Sequence, residues 1–267
     1  MKHRLFITLA ALITTVTSAA ALTETRSIAT RPGVTMDFLL MQPEQTGASR
    51  DALILFAGGN GAMPFRLTET GVVQGWNFLV RSADEFTRRG LTIVAVSPPS
   101  DHASGMNAEF RESQEHADDI ASLSAYLERQ GFDRIFLVGN SRGTISAASL
   151  AARLTNSRLK GVVLTSTLEY DQFMSTIPLN RVRTPVLMVH HREDNCRVSP
   201  LPEARKVREN LKSATSVDFV EVDGGAFYAR SAPCDNLSAH GFFGIEGKVV
   251  QVISDWVSGR KVPDHID

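Results

Sequence analysis

The strongest chemical signal in the chain is the five-residue stretch Gly139-Asn140-Ser141-Arg142-Gly143. A serine with glycines two residues before and two after fits a tight turn that presents the hydroxyl while neighbouring backbone passes too close for a Cβ. A serine hydroxyl is a poor nucleophile at neutral pH and needs a base within hydrogen-bond reach. His240, within residues 238–242, is the candidate base, because an imidazole that titrates near neutrality can take a proton and return it. The imidazole needs an anionic partner to fix its tautomer. Asp194, within residues 191–198, is the first candidate, and Glu193 and Asp171 are the others. Together these residue types suit nucleophilic attack on an acyl carbon.

These side chains meet only if the right elements carry them. Residues 134–138 are a short apolar run and residues 144–154 a small-residue helical stretch, so Ser141 sits on a strand-to-helix turn. Apolar runs at 52–56, 91–96, 160–165 and 185–189 read as buried strands, with further strands at 35–41 and 217–222. Helical spacing predicts helices at 76–89, from Phe110 to Gly131, at 202–211 and at 248–257. Strands alternating with helices predict an α/β fold with a mainly parallel central sheet flanked by helices on both faces. Asp194 and His240 then fall on loops leaving the carboxyl edge of that sheet, where ligands bind in such folds.

The chain order Ser141, Asp194, His240 is that of one hydrolase architecture and of neither major protease type. With the 139–143 turn, Val198 and Pro200 trailing Asp194, and Ala239-His240-Gly241, residues 22–267 resemble the α/β-hydrolase superfamily at esterase or lipase level. The resemblance implies a Ser141-His240-Asp194 triad acting through an acyl-enzyme. It also implies two backbone N–H groups facing the developing oxyanion: that of Arg142, and that of Gly59 or Asn60 in the loop Gly58 to Gly61. Lipase relatives often carry histidine before these glycines, where this chain has Ala57. Met63, Phe65, Tyr170 and Phe173 are candidates for the pocket wall. Residues 166–184 are too short for a full helical cap, which favours small or exposed acyl esters. The same triad also serves peptide, thioester and acyl-transfer chemistry, and a non-catalytic binding protein is the alternative of a different class.

Composition removes other classes. A net charge of −1 leaves no basic footprint for nucleic acid. His190, His191 and Cys196 match no zinc spacing, so neither metal nor cofactor is expected. Lys2 to Arg4, an apolar run over 5–16 and small residues at 18–21 form a cleavable signal pattern, placing the mature protein in the periplasm or outside the cell without a membrane anchor. In an oxidising compartment Cys196 and Cys234 are expected to pair, tying the Asp194 loop to the His240 loop; otherwise they are two thiols.

Overall fold

A computed structural model describes residues 22–44, 49–62, 66–68, 71–73, 75–226 and 228–267, with 66–68 and 71–73 described as backbone only. The expected signal segment 1–21 and the pocket candidates Met63 and Phe65 lie outside the described residues.

In chain order the elements are β1 (Leu22–Arg31), β2 (Val34–Gln42), β3 (Asp51–Phe56), β4 (Arg66–Thr68), β5 (Gly71–Val73), α1 (Phe78–Arg81), α2 (Ala83–Arg88) and β6 (Thr92–Val96). There follow α3 (Ala108–Arg111), α4 (Gln114–Arg129), β7 (Arg134–Asn140), α5 (Gly143–Arg153), β8 (Leu159–Thr165) and β9 (Val186–His191). The chain closes with α6 (Leu201–Asn210), β10 (Val217–Val222), α7 (Glu246–Val257) and β11 (His265–Ile266). One nine-stranded sheet runs β1-β2-β6-β3-β7-β8-β9-β10-β11, and β4 pairs with β5. The β1–β2 and β2–β6 pairs are antiparallel, and the other neighbours in the large sheet are parallel.

Burial explains the apolar runs. Every residue of β3 and β6 is buried, because helices cover both faces of the sheet at its centre. Along β3 the pleat sends Ala52, Ile54 and Phe56 to one face, with Ile120, Leu123 and Leu127 of α4, Ile145 of α5 and Val207 of α6. Leu53 and Leu55 go to the other, with Phe78 and Leu79 of α1, Phe86 of α2 and Ile253 of α7. After β3 the chain crosses to β6 on one side and then to β7 on the other, so a topological switch point opens at the carboxyl ends of β3 and β7.

Three details differ from the sequence expectations. The helix expected over 76–89 is two short ones, α1 and α2, because Ser82 (φ −97°, ψ 4°) caps the end of the first and the start of the second. The helix expected from Phe110 breaks likewise, Ser113 accepting at its hydroxyl from the His116 N–H to start α4 afresh. The edge strands β1 and β11 and the β4–β5 hairpin were not expected. Among the described residues no helix is long and apolar enough to cross a membrane.

Candidate active site

Ser141 stands between β7 and α5 with φ 54°, a left-handed conformation unusual for a residue with a Cβ. Its backbone N–H donates to Thr165 O at the end of β8, which holds the turn against the neighbouring strand. The flanking glycines are required by close approach. A Cβ on Gly139 would lie 2.5 Å from Gly143 O, and one on Gly143 would lie 2.0 Å from Phe56 O. The glycine at 143 therefore lets α5 start directly against the end of β3. Asn140, buried in the same turn, is clasped on both sides: its Oδ1 accepts from Asn77 Nδ2 and its Nδ2 donates to Thr165 Oγ1.

His240 belongs to a single 3-10 turn, Ala239–Gly241, started by the Ser238 hydroxyl, which accepts from the His240 N–H. Its Nε2 lies 2.9 Å from Ser141 Oγ and its Nδ1 lies 2.8 Å from Asp194 Oδ2. The carboxylate so placed favours the tautomer with the proton on Nδ1, leaving Nε2 free to accept from the serine. Asp194 and His240 are buried, while Ser141 is partly accessible from the cleft. Glu193 is exposed beside Asp194, and Asp171 forms an exposed ion pair with Lys206, so neither alternative carboxylate faces the imidazole.

The Asp194 carboxylate is held by a backbone N–H and by Ser199, which sequence reading did not single out. Asp194 Oδ1 accepts the Cys196 N–H at 3.0 Å. Ser199 Oγ lies 3.0 Å from both Asp194 Oδ2 and Thr167 O, and its one proton serves these two acceptors by turns. His190 is buried beside the pair, with Nε2 donating to Ser199 O and 3.7 Å from Asp194 Oδ2. Burial pushes its pKa down to about 4, so the ring is neutral near pH 7. Ser166, also at positive φ (46°), donates its hydroxyl to His240 O. Ser141, Ser166 and Phe242 are the positive-φ non-glycine residues of the described chain, and all three flank this site. Such conformations cost of order 1–3 kcal/mol each and cluster where function fixes geometry.

At the carboxyl end of β3, Gly58 packs on the serine: a Cβ there would meet Ser141 Cβ at 2.9 Å. Gly59 (φ 59°) lines the cleft in front of Ser141. Asn60 turns away, its Nδ2 donating to Ser104 O and its backbone O accepting from the Met106 N–H. Of the two expected loop donors, Gly59 is thus the one at the cleft. Among the described residues neither the Arg142 nor the Gly59 N–H has a protein acceptor. Beneath this loop lies Arg111, almost fully buried, with Nη1 donating to Ser146 Oγ and Nη2 3.4 Å from the carbonyls of Ala57 and Gly59. Burial, followed by the charge of Arg142, lowers its pKa to about 10, so it stays a cation at neutral pH.

The cleft holds about 290 Å³ and is lined by Ser141, His240, Gly58, Gly59, Trp76 and the 234–236 segment among others. Tyr170 and Phe173, expected at its wall, do not line it. They sit on a π-helical turn, Tyr170–Met174, and pack against the core, where aromatic rings bury more area than at an open edge. Cys196 and Cys234 form a disulfide with Cα atoms 4.5 Å apart, joining the Asp194 loop to the cleft wall. Ligand atoms of Asp194, Cys196 and His240 come within 4.8 Å of one another, but a disulfide sulfur is no thiolate donor, and His240 Nδ1 already faces the carboxylate.

No protein-family model and no curated protein matches the chain. Solved structures do. An α/β serine hydrolase homologue from Coxiella burnetii aligns at 16% identity and TM-score 0.60 over 86% of this chain and 95% of its own. An esterase from Pyrococcus furiosus aligns at 14% identity and TM-score 0.60, over 90% and 93%. The acylaminoacyl peptidase of Pyrococcus horikoshii aligns at 14% identity and TM-score 0.62 over 93% of this chain, which spans 43% of that longer one. With the mainly parallel sheet and the serine turn at its switch point, these likenesses establish that the chain has the α/β-hydrolase fold.

Proposed function

We propose that the protein is an exported serine hydrolase that cleaves small or exposed carboxylic esters. The observation that carries this reading is the continuous relay from Ser141 Oγ through His240 to Asp194, at 2.9 and 2.8 Å. In the proposed reaction Ser141 Oγ attacks the acyl carbon as its proton passes to His240 Nε2. The negative charge on the acyl oxygen is met by the N–H groups of Arg142 and Gly59, and a lost donor of this kind costs about 2.7–4 kcal/mol in the transition state. The tetrahedral intermediate collapses, the alcohol leaves with the proton from His240, and an acyl-serine remains. Water then attacks, giving its proton to His240. Collapse releases the carboxylic acid and returns the proton to Ser141. The Asp194 carboxylate orients the ring and stabilises the imidazolium.

The ester preference rests on the openness of the site, since only short turns occupy residues 166–184 where a helical cap would lie. The charged start and apolar run of residues 2–16, with the disulfide, support export. The test is hydrolysis of short-chain p-nitrophenyl esters, with an acyl-peptide anilide beside them, by wild type and Ser141→Ala. Turnover of the esters that drops by about 10⁴ or more in the variant is expected. Anilide cleavage without ester cleavage would overturn the ester assignment.

A further inference from the structure

Resting on that reading, we propose that the substrate is an O-acylated saccharide, bound with its sugar ring against Trp76 and its hydroxyls toward Asp235 and Asn236, and bearing a short acyl group. Trp76 lines the cleft beside Ser141 and His240 and is 71% exposed, whereas the neighbouring Phe78, Phe86 and Phe242 are fully buried. An exposed tryptophan leaves a large apolar face in water, and the backbone that carries it is held by neighbouring contacts. Arg81 Nη1 donates to Trp76 O at 2.8 Å, and the next residue, Asn77, caps α1. Arg81 also donates to Gly241 O and pairs with Glu246, so one guanidinium ties the tryptophan backbone to the turn that carries His240.

The 234–236 segment is equally well placed. It is anchored by the disulfide at Cys234, by the Ser238 hydroxyl, which lies 2.9 and 2.8 Å from the carbonyls of Pro233 and Asp235, and by Gly241, where a Cβ would meet Asn236 O at 2.0 Å. One carboxylate oxygen of Asp235 accepts the Ala232 N–H, and among the described residues no protein group engages its other oxygen or the Asn236 amide. A flat indole, a carboxylate and an amide suit a sugar, which presents a face of C–H bonds and an edge of hydroxyls that both donate and accept. The described lining contributes Ala57, Ala62 and Val80 as aliphatic side chains beside Ser141, enough to face a short acyl group. The carboxylate of Asp235 disfavours anionic substrates.

The experiment compares a methyl xyloside mono-O-acetate, which keeps two free hydroxyls, with ethyl acetate and acetylcholine as substrates of wild type, Trp76→Ala and Asn236→Ala. Alongside, calorimetry follows binding of the acetylated xyloside to the Ser141→Ala protein, with and without Trp76→Ala. The expected result is a KM for the xyloside raised about tenfold by Trp76→Ala, several times more than any change in the KM for ethyl acetate. Equal effects on both esters, or a Trp76-dependent preference for acetylcholine, would overturn the saccharide assignment while leaving the hydrolase reading intact. If no ester is cleaved, the hydrolase reading fails and calorimetry decides alone. Trp76-dependent binding sustains the saccharide site, and absence of binding overturns it.

Discussion

Around the serine turn, single residues set the geometry: Ser199 and the Cys196 N–H hold the Asp194 carboxylate, and Asp194 faces His240 Nδ1 at 2.8 Å. Ser141, Asp194 and His240 are readable in the sequence because the proposed nucleophile, its base and the orienting carboxylate must come from a short list of side chains. Ser166 and Ser199, which hold His240 O and Asp194, left no sequence signal, since a hydroxyl that supports a neighbour looks like any other serine. The glycines of the serine turn were legible for a steric reason, borne out by the 2.0 Å approach of Phe56 O to a Cβ at 143. Tyr170 and Phe173 show the opposite case: aromatics near a site are drawn to the core as readily as to a cleft. Asp194→Asn keeps shape and burial but can donate to His240 Nδ1 and so favours the wrong tautomer. It is expected to lower kcat by about 10⁴ with KM little changed and the circular dichroism of the wild type retained.

At the scale of elements, buried strands were readable because both faces are covered, as in β3 and β6, whereas edge strands were not. β1 alternates exposed and half-buried residues, and its signal was the Pro32-Gly33 turn, with Gly33 at φ 74°, that folds it onto β2. Apolar spacing fits one helix over 76–89 as well as two, and the backbone departs from helical geometry at Ser82, whose hydroxyl makes no capping bond. The disulfide joins two loops that leave different strands, over a sequence separation of 38. In the chain-entropy model a loop of that length contributes about 4 kcal/mol. Urea unfolding with and without a thiol reductant is expected to show a loss of up to that amount. An unchanged midpoint after verified reduction would remove the bridge from the account of stability.

At the scale of the whole molecule, two buried histidines link stability to pH. His116 lies among Phe56, Phe110 and Arg111, and burial, followed by the Arg111 charge, pushes its pKa down to about 3; burial takes His190 to about 4. Both folded values lie below the unfolded value of about 6.5. The unfolded chain therefore gains protons first as pH falls. The contribution is present in full above pH 6.5 and is lost progressively as pH falls from there to about 4 for His190 and about 3 for His116. Between pH 7 and 5 each histidine is expected to remove about 2 kcal/mol, and His116→Phe should flatten that slope in urea titrations. Export is tested on the same scale: protein recovered from the periplasm or medium should begin within a residue or two of Leu22, and a chain retaining Met1 would contradict it.

The central claim is that Ser141 is a nucleophile activated by His240. Its most direct test is labelling of the mature, folded protein with a fluorophosphonate, followed by mass spectrometry to locate the adduct. One adduct per chain is expected, on Ser141, lost in Ser141→Ala and slowed by orders of magnitude in His240→Ala. A folded wild type that takes up no label, or takes it up elsewhere, would contradict it.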